Sequence, residues 1–275
     1  MLADLGSRSG LWTDRTQPTT VARGSENTTF AVGGFIVRRT VDVDALTREV
    51  ALLEALAGET SIPVPVPLVH RSDLGVLVYR ALGGEPLLGR PDLIGPAVEG
   101  PLVDVLGALR RIRPDPPLVV DDHPNDAWLA GARQDFETAR SHLGPERAAA
   151  VAQFLDQPPP PAGPVLVPQH NDLGAEHILV DDRGRVSGVI DWSDAARTEP
   201  ARDIGRLLRD LGPAIALAVA AGLDGQSTAE ERLRMTFHAR CTWLEDLAYG
   251  LADPAGRSAY LANAERVFGH VFGHA

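Results

Sequence analysis

The apolar period of this chain changes once, at Gly83-Gly84, and that single change limits the folds open to it. Before it, short β-rich runs dominate; after it, apolar residues recur at three and four. Thr28 to Val32 and Phe35 to Thr40 flank Gly33-Gly34 and are expected to pair as a hairpin, behind a turn at Gly24 to Asn27. Leu46, Val50, Leu53 and Ala57 mark a helix from Asp44 to Ala57, with Asp42 or Asp44 as its cap and Gly58 as its stop. Prolines at 63, 65 and 67 forbid a helix there and point to an extended segment entering an edge strand. Leu74 to Ala81 reads as a further strand, broken by Gly83-Gly84-Glu85-Pro86. Helical patterns follow at Ala97 to Ile112, Ala127 to His142 and Glu146 to Leu155, then a short buried strand at Val165 to Val167. Beyond Pro200 come helices at Asp203 to Leu211, Ala214 to Leu223, Ala229 to Leu251 and Ser258 to Phe272. The expectation is an α+β chain: residues 1–82 a small antiparallel sheet with one helix, residues 83–275 a larger, mainly helical part.

Composition removes several functions. The 275 residues carry a net charge of −11, which argues against a nucleic-acid partner. All 26 basic residues are arginine, so a mechanism that needs a lysine amine is excluded. The longest apolar run, Ala214 to Leu223, is too short to span a bilayer, and the first residues do not form a secretory signal. The single cysteine, Cys241, offers no internal disulfide, so a cytoplasmic location is expected.

The chemistry concentrates between Val165 and Asp203. HILVDD and RVSGVID read as two strands joined at Arg183-Gly184. That centring makes paired residue numbers sum to about 367, as facing positions of an antiparallel ladder must keep a constant sum. His177 then faces Ile190 and neighbours Asp191 at the open end, where facing and diagonal side chains sit about 5–8 Å apart. The loop His170-Asn171-Asp172 brings a second carboxylate to the same end. Carboxylates are hard oxygen ligands suited to Mg²⁺, and one left off the metal can orient or deprotonate a hydroxyl. A metallohydrolase built on His170, Asp172, His177 and Asp191 is a competing reading of the same four residues.

The string HNDLGAEHIL, followed by IDW and PARD, resembles the aminoglycoside phosphotransferases and their relatives, the choline, macrolide and fructosamine kinases. The resemblance implies a protein-kinase-like, two-lobed fold with residues 1–82 as the nucleotide lobe. It implies transfer of the γ-phosphate of ATP or GTP, with Mg²⁺, to a hydroxyl of a small, cationic, aminoglycoside-like substrate. On the matching positions Asp172 is the catalytic carboxylate, Asp191 a metal ligand, and His170 and Asp203 the pair that fixes the loop. His177 stands where most relatives carry a metal-binding asparagine; some aminoglycoside 2''-phosphotransferases and macrolide phosphotransferases share the histidine.

The resemblance extends to both flanks. Gly24 to Thr29 is similar to the nucleotide-covering turn, with Ser25 and Asn27 facing phosphate. Arg38 occupies the place of the usual lysine; it keeps the charge but not the compact ammonium. Glu49 falls on the buried edge of its helix, where a carboxylate needs a cation, and is the expected partner. Leu77 to Leu82 would be the hinge strand, with Tyr79 and Ala81 meeting the purine through their backbone. Asp194, Glu245 and Asp246 are candidates for the acceptor, whereas Trp243, Tyr249 and Cys241 read as core. A kinase-like nucleotide- or ligand-binding protein with little transfer activity, or a kinase of another small metabolite such as a macrolide, an amino alcohol or a sugar, is the second reading, and either a monomer or a homodimer is compatible with the sequence.

Overall fold

The computed structural model describes residues 6, 9–13, 16–23 and 27–273. Five antiparallel strands open the chain: β1 (Thr19–Arg23), β2 (Asn27–Val32), β3 (Phe35–Thr40), β4 (Pro67–Arg71) and β5 (Val76–Arg80), in the order β1-β2-β3-β5-β4. The expected hairpin is β2–β3, paired from Asn27↔Thr40 to Val32↔Phe35. Gly33 and Gly34 turn it at φ 56° and 83°, a region that side chains disfavour. The proline-led segment supplies β4, an edge strand.

Alternation along β5 divides the sheet into two buried faces. Val76 and Val78 join Val32, Phe35, Val37 and Trp12 on one side. Leu77 and Tyr79 face the other, against α1 (Val43–Leu56). Asp42 caps that helix by accepting from the Ala45 amide (2.8 Å). Leu46, Val50 and Leu53 form its inner stripe, and each buried leucine contributes about 2 kcal/mol.

The chain leaves the sheet through Gly84, at φ 109°. A Cβ there would lie 2.2 Å from Ser187 Oγ and 2.7 Å from the Val180 carbonyl oxygen, so only glycine fits. Glu85–Pro86 forms a two-residue strand, β6, where the sequence suggested only a break.

The remainder is mainly helical: α2 (Glu99–Arg111), α3 (Asn125–Ala139), α4 (Pro145–Leu155), α5 (Ala201–Leu211), α6 (Pro213–Asp224), α7 (Ala229–Ala252) and α8 (Ser258–Phe272). Two short antiparallel pieces interrupt it. Strand β7 (Val167–Gln169) pairs with β10 (Ala196–Thr198), and β8 (Ile178–Val180) pairs with β6 and with β9 (Val186–Val189). The strand expected at Val165 begins two residues later, and Val165 itself is exposed. One apolar core runs from α1 through α2 to Trp192 and α5, which ties the sheet to the helices around the β8–β9 hairpin. Among the described residues no helix is long and apolar enough to cross a membrane.

Candidate active site

The β8–β9 hairpin has the register read from the sequence. Ile178 faces Val189 and Leu179 faces Gly188, before a bulge shifts Val180 to Val186. The Ile190 amide donates to the His177 carbonyl oxygen (3.0 Å), which closes the open end beside Asp191. Asp191 takes a positive φ of 62°, rare outside glycine, and Asn171 does the same at 69°. Both positions bend the backbone so that their carboxylate-bearing loops converge on His177.

His177 lies between two carboxylates. Its Nδ1–H donates to the Asp172 carbonyl oxygen (2.7 Å), and Asp172 Oδ2 is 3.6 Å from the same nitrogen. In the neutral ring the lone pair therefore sits on Nε2, which faces Asp191 Oδ2 at 3.7 Å. That gap is too long for a hydrogen bond and suits two donors sharing one divalent cation. Donor atoms of Asp172, Glu176 and His177 also lie within 4.8 Å of one another. The set fits a cation, although its nitrogen favours transition dications over Mg²⁺. Burial works against charge on His177, but the Asp172, Glu176 and Asp191 carboxylates raise it above its ordinary value.

Helix α5 supports the loop from below, and all eleven of its residues are buried. Asp203 accepts from the His170 and Asn171 amides (2.8 Å each), and Asp210 accepts from the Ala175 amide (2.8 Å). Between them, Arg206 NH2 lies 3.2 Å from Asp172 Oδ1. Burial alone would raise Asp172, but Arg206, followed by His177, holds its carboxyl below the usual range. The His170 ring donates through Nε2 to the Ile190 carbonyl oxygen (2.9 Å) and leans on Trp192. Burial pushes this imidazole down to about 4, so it stays neutral. It also pushes Asp203 up to about 6 against the amides that it accepts from.

A cleft of about 1200 Å³ opens above the hairpin, between the β2–β3 and α1 surface and the helical part. Arg38 crosses it. The guanidinium grips both oxygens of Glu49, with NH1 2.6 Å from Oε1, and the same NH1 lies 3.3 Å from Asp191 Oδ1. Burial pushes the Glu49 carboxyl up to about 7 while Arg38 pulls it down. The cation expected for Glu49 is thus Arg38, on the same strand face as Ile36.

The other expected residues divide. Ser25 lies outside the described residues, while Asn27 lines the cleft from β2, its Oδ1 buried without a partner. Asp194 lines the opposite wall; burial, with Asp172 and Asp191 beyond, raises its carboxyl. Ala81 does not offer a free amide, because it donates to the Gly34 carbonyl oxygen (3.0 Å). Tyr79 sits inside β5, flanked by β3 and β4, with a buried side chain beside Glu49 and Arg38.

On α7, Glu245 is half-exposed, 3.7 Å from Arg206, but Asp246 turns inward to Arg209 (2.9 Å). Asp246 therefore belongs to a buried ion cluster with Asp210 and Glu176, not to an open acceptor wall. Tyr249, expected in the core, is 44% exposed on the cleft, with the Arg257 guanidinium 3.6 Å above its ring. Trp243 and Cys241 are core.

Sequence reasoning missed Arg206 and Asp121. Asp121 accepts from Asn171 Nδ2 (3.0 Å) and Arg202 NH1 (2.6 Å), so it braces the loop from the cleft side. The available signal was the spacing of Asp203, Arg206 and Asp210, three and four residues apart on one face of the helix.

Comparison with known proteins gives one consistent result. The profile of the phosphotransferase enzyme family, APH, matches residues 18–236. Viomycin phosphotransferase of Streptomyces vinaceus is 29% identical over 216 residues, covering 70% of this chain and 74% of that protein. The GDP and kanamycin complex of APH(2")-IIia superposes at a TM-score of 0.66 with 19% identity, over 93% of this chain and 92% of that one. Macrolide 2'-phosphotransferase MphH from Brachybacterium faecium superposes at 0.59 with 23% identity, over 97% of both chains. At these identities the superpositions show a shared fold.

Proposed function

The chain belongs to the phosphotransferase enzyme family, and from that premise we propose that it moves the γ-phosphate of ATP or GTP to a hydroxyl of a cationic, aminoglycoside-like small molecule. In this reading the acceptor oxygen attacks the γ-phosphorus, the bond to the bridging oxygen breaks, and the nucleoside diphosphate leaves. Asp172 orients the acceptor hydroxyl and takes its proton. Held ionised by Arg206, it is a weak base, so orientation is its larger contribution.

His177 Nε2 and Asp191 would hold the divalent cation, expected from the family to be Mg²⁺, with Glu176 close behind. When bound, the cation neutralises charge on the transferring phosphates. Arg38, fixed by Glu49, presents its guanidinium to the same region and supplies the positive charge that relatives take from lysine. Asn27 faces the nucleotide side of the cleft, and Ser25 is assigned to that side by resemblance alone; the Ala81 amide, bonded to Gly34, and Tyr79, paired inside β5, are not assigned to it.

The acceptor side is acidic. Asp121, Asp122, Asp194 and Asp253 line the cleft, and half-exposed Glu245 adds to the charge beside Arg206. Such a wall favours ammonium groups, as does the net charge of −11.

The observation that carries the proposal is His177, 3.6 Å from one carboxylate and 3.7 Å from the other. Incubation of the protein with ATP or GTP, Mg²⁺ and a panel of aminoglycosides, macrolides and amino alcohols, read by mass spectrometry, tests it. A mass gain of one phosphate on a cationic acceptor is expected. Complete turnover failure with every acceptor, by a folded protein that binds nucleotide, would favour the binding-protein reading.

A further inference from the structure

We propose that Arg206 is the positioning residue for Asp172: buried helix α5 acts as a template that holds the reactive loop at three successive points, and Arg206 is the point that fixes the reacting side chain. The inference rests on the phosphotransfer reading of Asp172.

The three points form one stripe. Asp203, Arg206 and Asp210 are three and four residues apart, so they share a helix face. Asp203 accepts the amides of His170 and Asn171, Arg206 NH2 lies 3.2 Å from Asp172 Oδ1, and Asp210 accepts the amide of Ala175. Asp203 also takes a backbone hydrogen bond from Leu173, so residues 170–175 are held along the whole charged stripe of the helix. Two of the three contacts fix main chain; the Arg206 contact alone reaches the carboxylate. With Oδ1 held by Arg206, Oδ2 is the oxygen on the His177 side, 3.6 Å from Nδ1.

Arg206 has little freedom to do anything else. Its side chain is 9% exposed, and its NH1 faces Glu245 at 3.7 Å. The helix under it cannot shift. A Cβ at Gly205 would lie 2.8 Å from His238 Cβ and 2.9 Å from the Met235 carbonyl oxygen, so α5 sits directly on the backbone of α7. A guanidinium this confined sets the carboxylate's orientation, and misplacement of a reacting group by about 1 Å is enough to cost roughly 10²-fold in rate.

The test uses Arg206→Met and, as a more conservative change, Arg206→Lys, in the full chain. Turnover, nucleotide affinity by calorimetry and a crystal structure are read for each, alone and combined with Asp172→Asn. For Arg206→Met the expected result is a kcat about 100-fold lower, nucleotide affinity within twofold of wild type, and the Asp172 side chain turned from its present orientation. On the Asp172→Asn background the same change is expected to cost less than threefold, because the group it positions is already disabled.

If Arg206→Met does not fold, Arg206→Lys carries the test, with an expected kcat loss of at least fivefold at unchanged nucleotide affinity. The proposal is overturned by kcat within threefold of wild type, by a loss expressed in nucleotide affinity, by multiplication of the two losses, or by an unmoved Asp172. If the wild-type protein transfers phosphate to no acceptor, the phosphotransfer reading fails by itself. The orientation of Asp172 in the variant crystals then decides the positioning role alone.

Discussion

One nitrogen of Arg38 lies 3.3 Å from Asp191 Oδ1, across 153 residues of sequence, while the same guanidinium grips Glu49. A strand of the small sheet, its helix and the mouth of the β8–β9 hairpin are therefore joined by one cation. A lysine at this position would keep the charge but lose the second, parallel bond to Glu49, because its ammonium is a point and not a fork.

Arg38→Met should therefore be costly. It leaves Glu49, 3% exposed, without its cation, and breaking such a buried pair costs about 3–5 kcal/mol. Arg38→Lys should cost clearly less, about 1 kcal/mol, since the charge remains and only the parallel hydrogen bonds go. Urea unfolding of the two variants checks this. Equal stability of Arg38→Met and wild type would mean that Glu49 is not dependent on Arg38.

The His177→Asn variant should change which cation works best. It replaces the imidazole nitrogen facing Asp191 with a carboxamide oxygen. The ratio of activity with Mn²⁺ to activity with Mg²⁺ is expected to fall by roughly tenfold, because nitrogen ligands favour transition dications. Calorimetric titration of the Mn²⁺–nucleotide complex gives a second readout. An unchanged ratio and unchanged affinity would exclude His177 as a ligand.

The site should make the fold sensitive to acid through His170. Its imidazole titrates near 4 when folded, against about 6.5 in an unfolded chain. Between those values the unfolded chain binds the extra proton, so this contribution to stability is complete above about 6.5 and is lost as pH falls towards 4. Asp203, up at about 6, works in the opposite direction, gaining protons in the folded state first. A His170→Gln variant keeps a donor for the Ile190 carbonyl and removes the titration. Its stability deficit relative to wild type is expected to shrink between pH 7 and 5; a constant deficit, measured by urea unfolding at each pH, would show that His170 does not titrate in this way.

The local features of the site were legible in the sequence and the convergent ones were not. A turn at Arg183-Gly184 gave the register that the open end of the hairpin keeps, and that register placed His177 beside Asp191; the one-residue bulge at Val180 nearer the turn had no signal in the sequence. Glu49 announced a partner because a carboxylate on an apolar helix edge must have one.

Glu245 and Asp246, by contrast, look alike in sequence, yet one step of about 100° on α7 puts the first at the surface and the second against Arg209. Tyr249 reads as core by composition, but it lies on the cleft face of α7, while Leu247 and Gly250 on either side of it keep the inner face. Arg206 and Asp121 depend on how α5 and the segment before α3 come together around the loop; the spacing of Asp203, Arg206 and Asp210 marks a charged face on α5, but not what that face meets. The Ala81 amide was lost to the Gly34 carbonyl for the same reason: the ladder between β3 and β5 continues one residue past the strand.

Asp172→Asn tests the account most directly, because it keeps the shape of the side chain and removes only its charge. With nucleotide affinity followed by calorimetry and phosphorylated product by mass spectrometry, transfer is expected to fall by about 10²–10⁴-fold while nucleotide binding stays within a few-fold of wild type. A folded Asp172→Asn protein that keeps more than about a tenth of wild-type transfer would contradict the account at its centre.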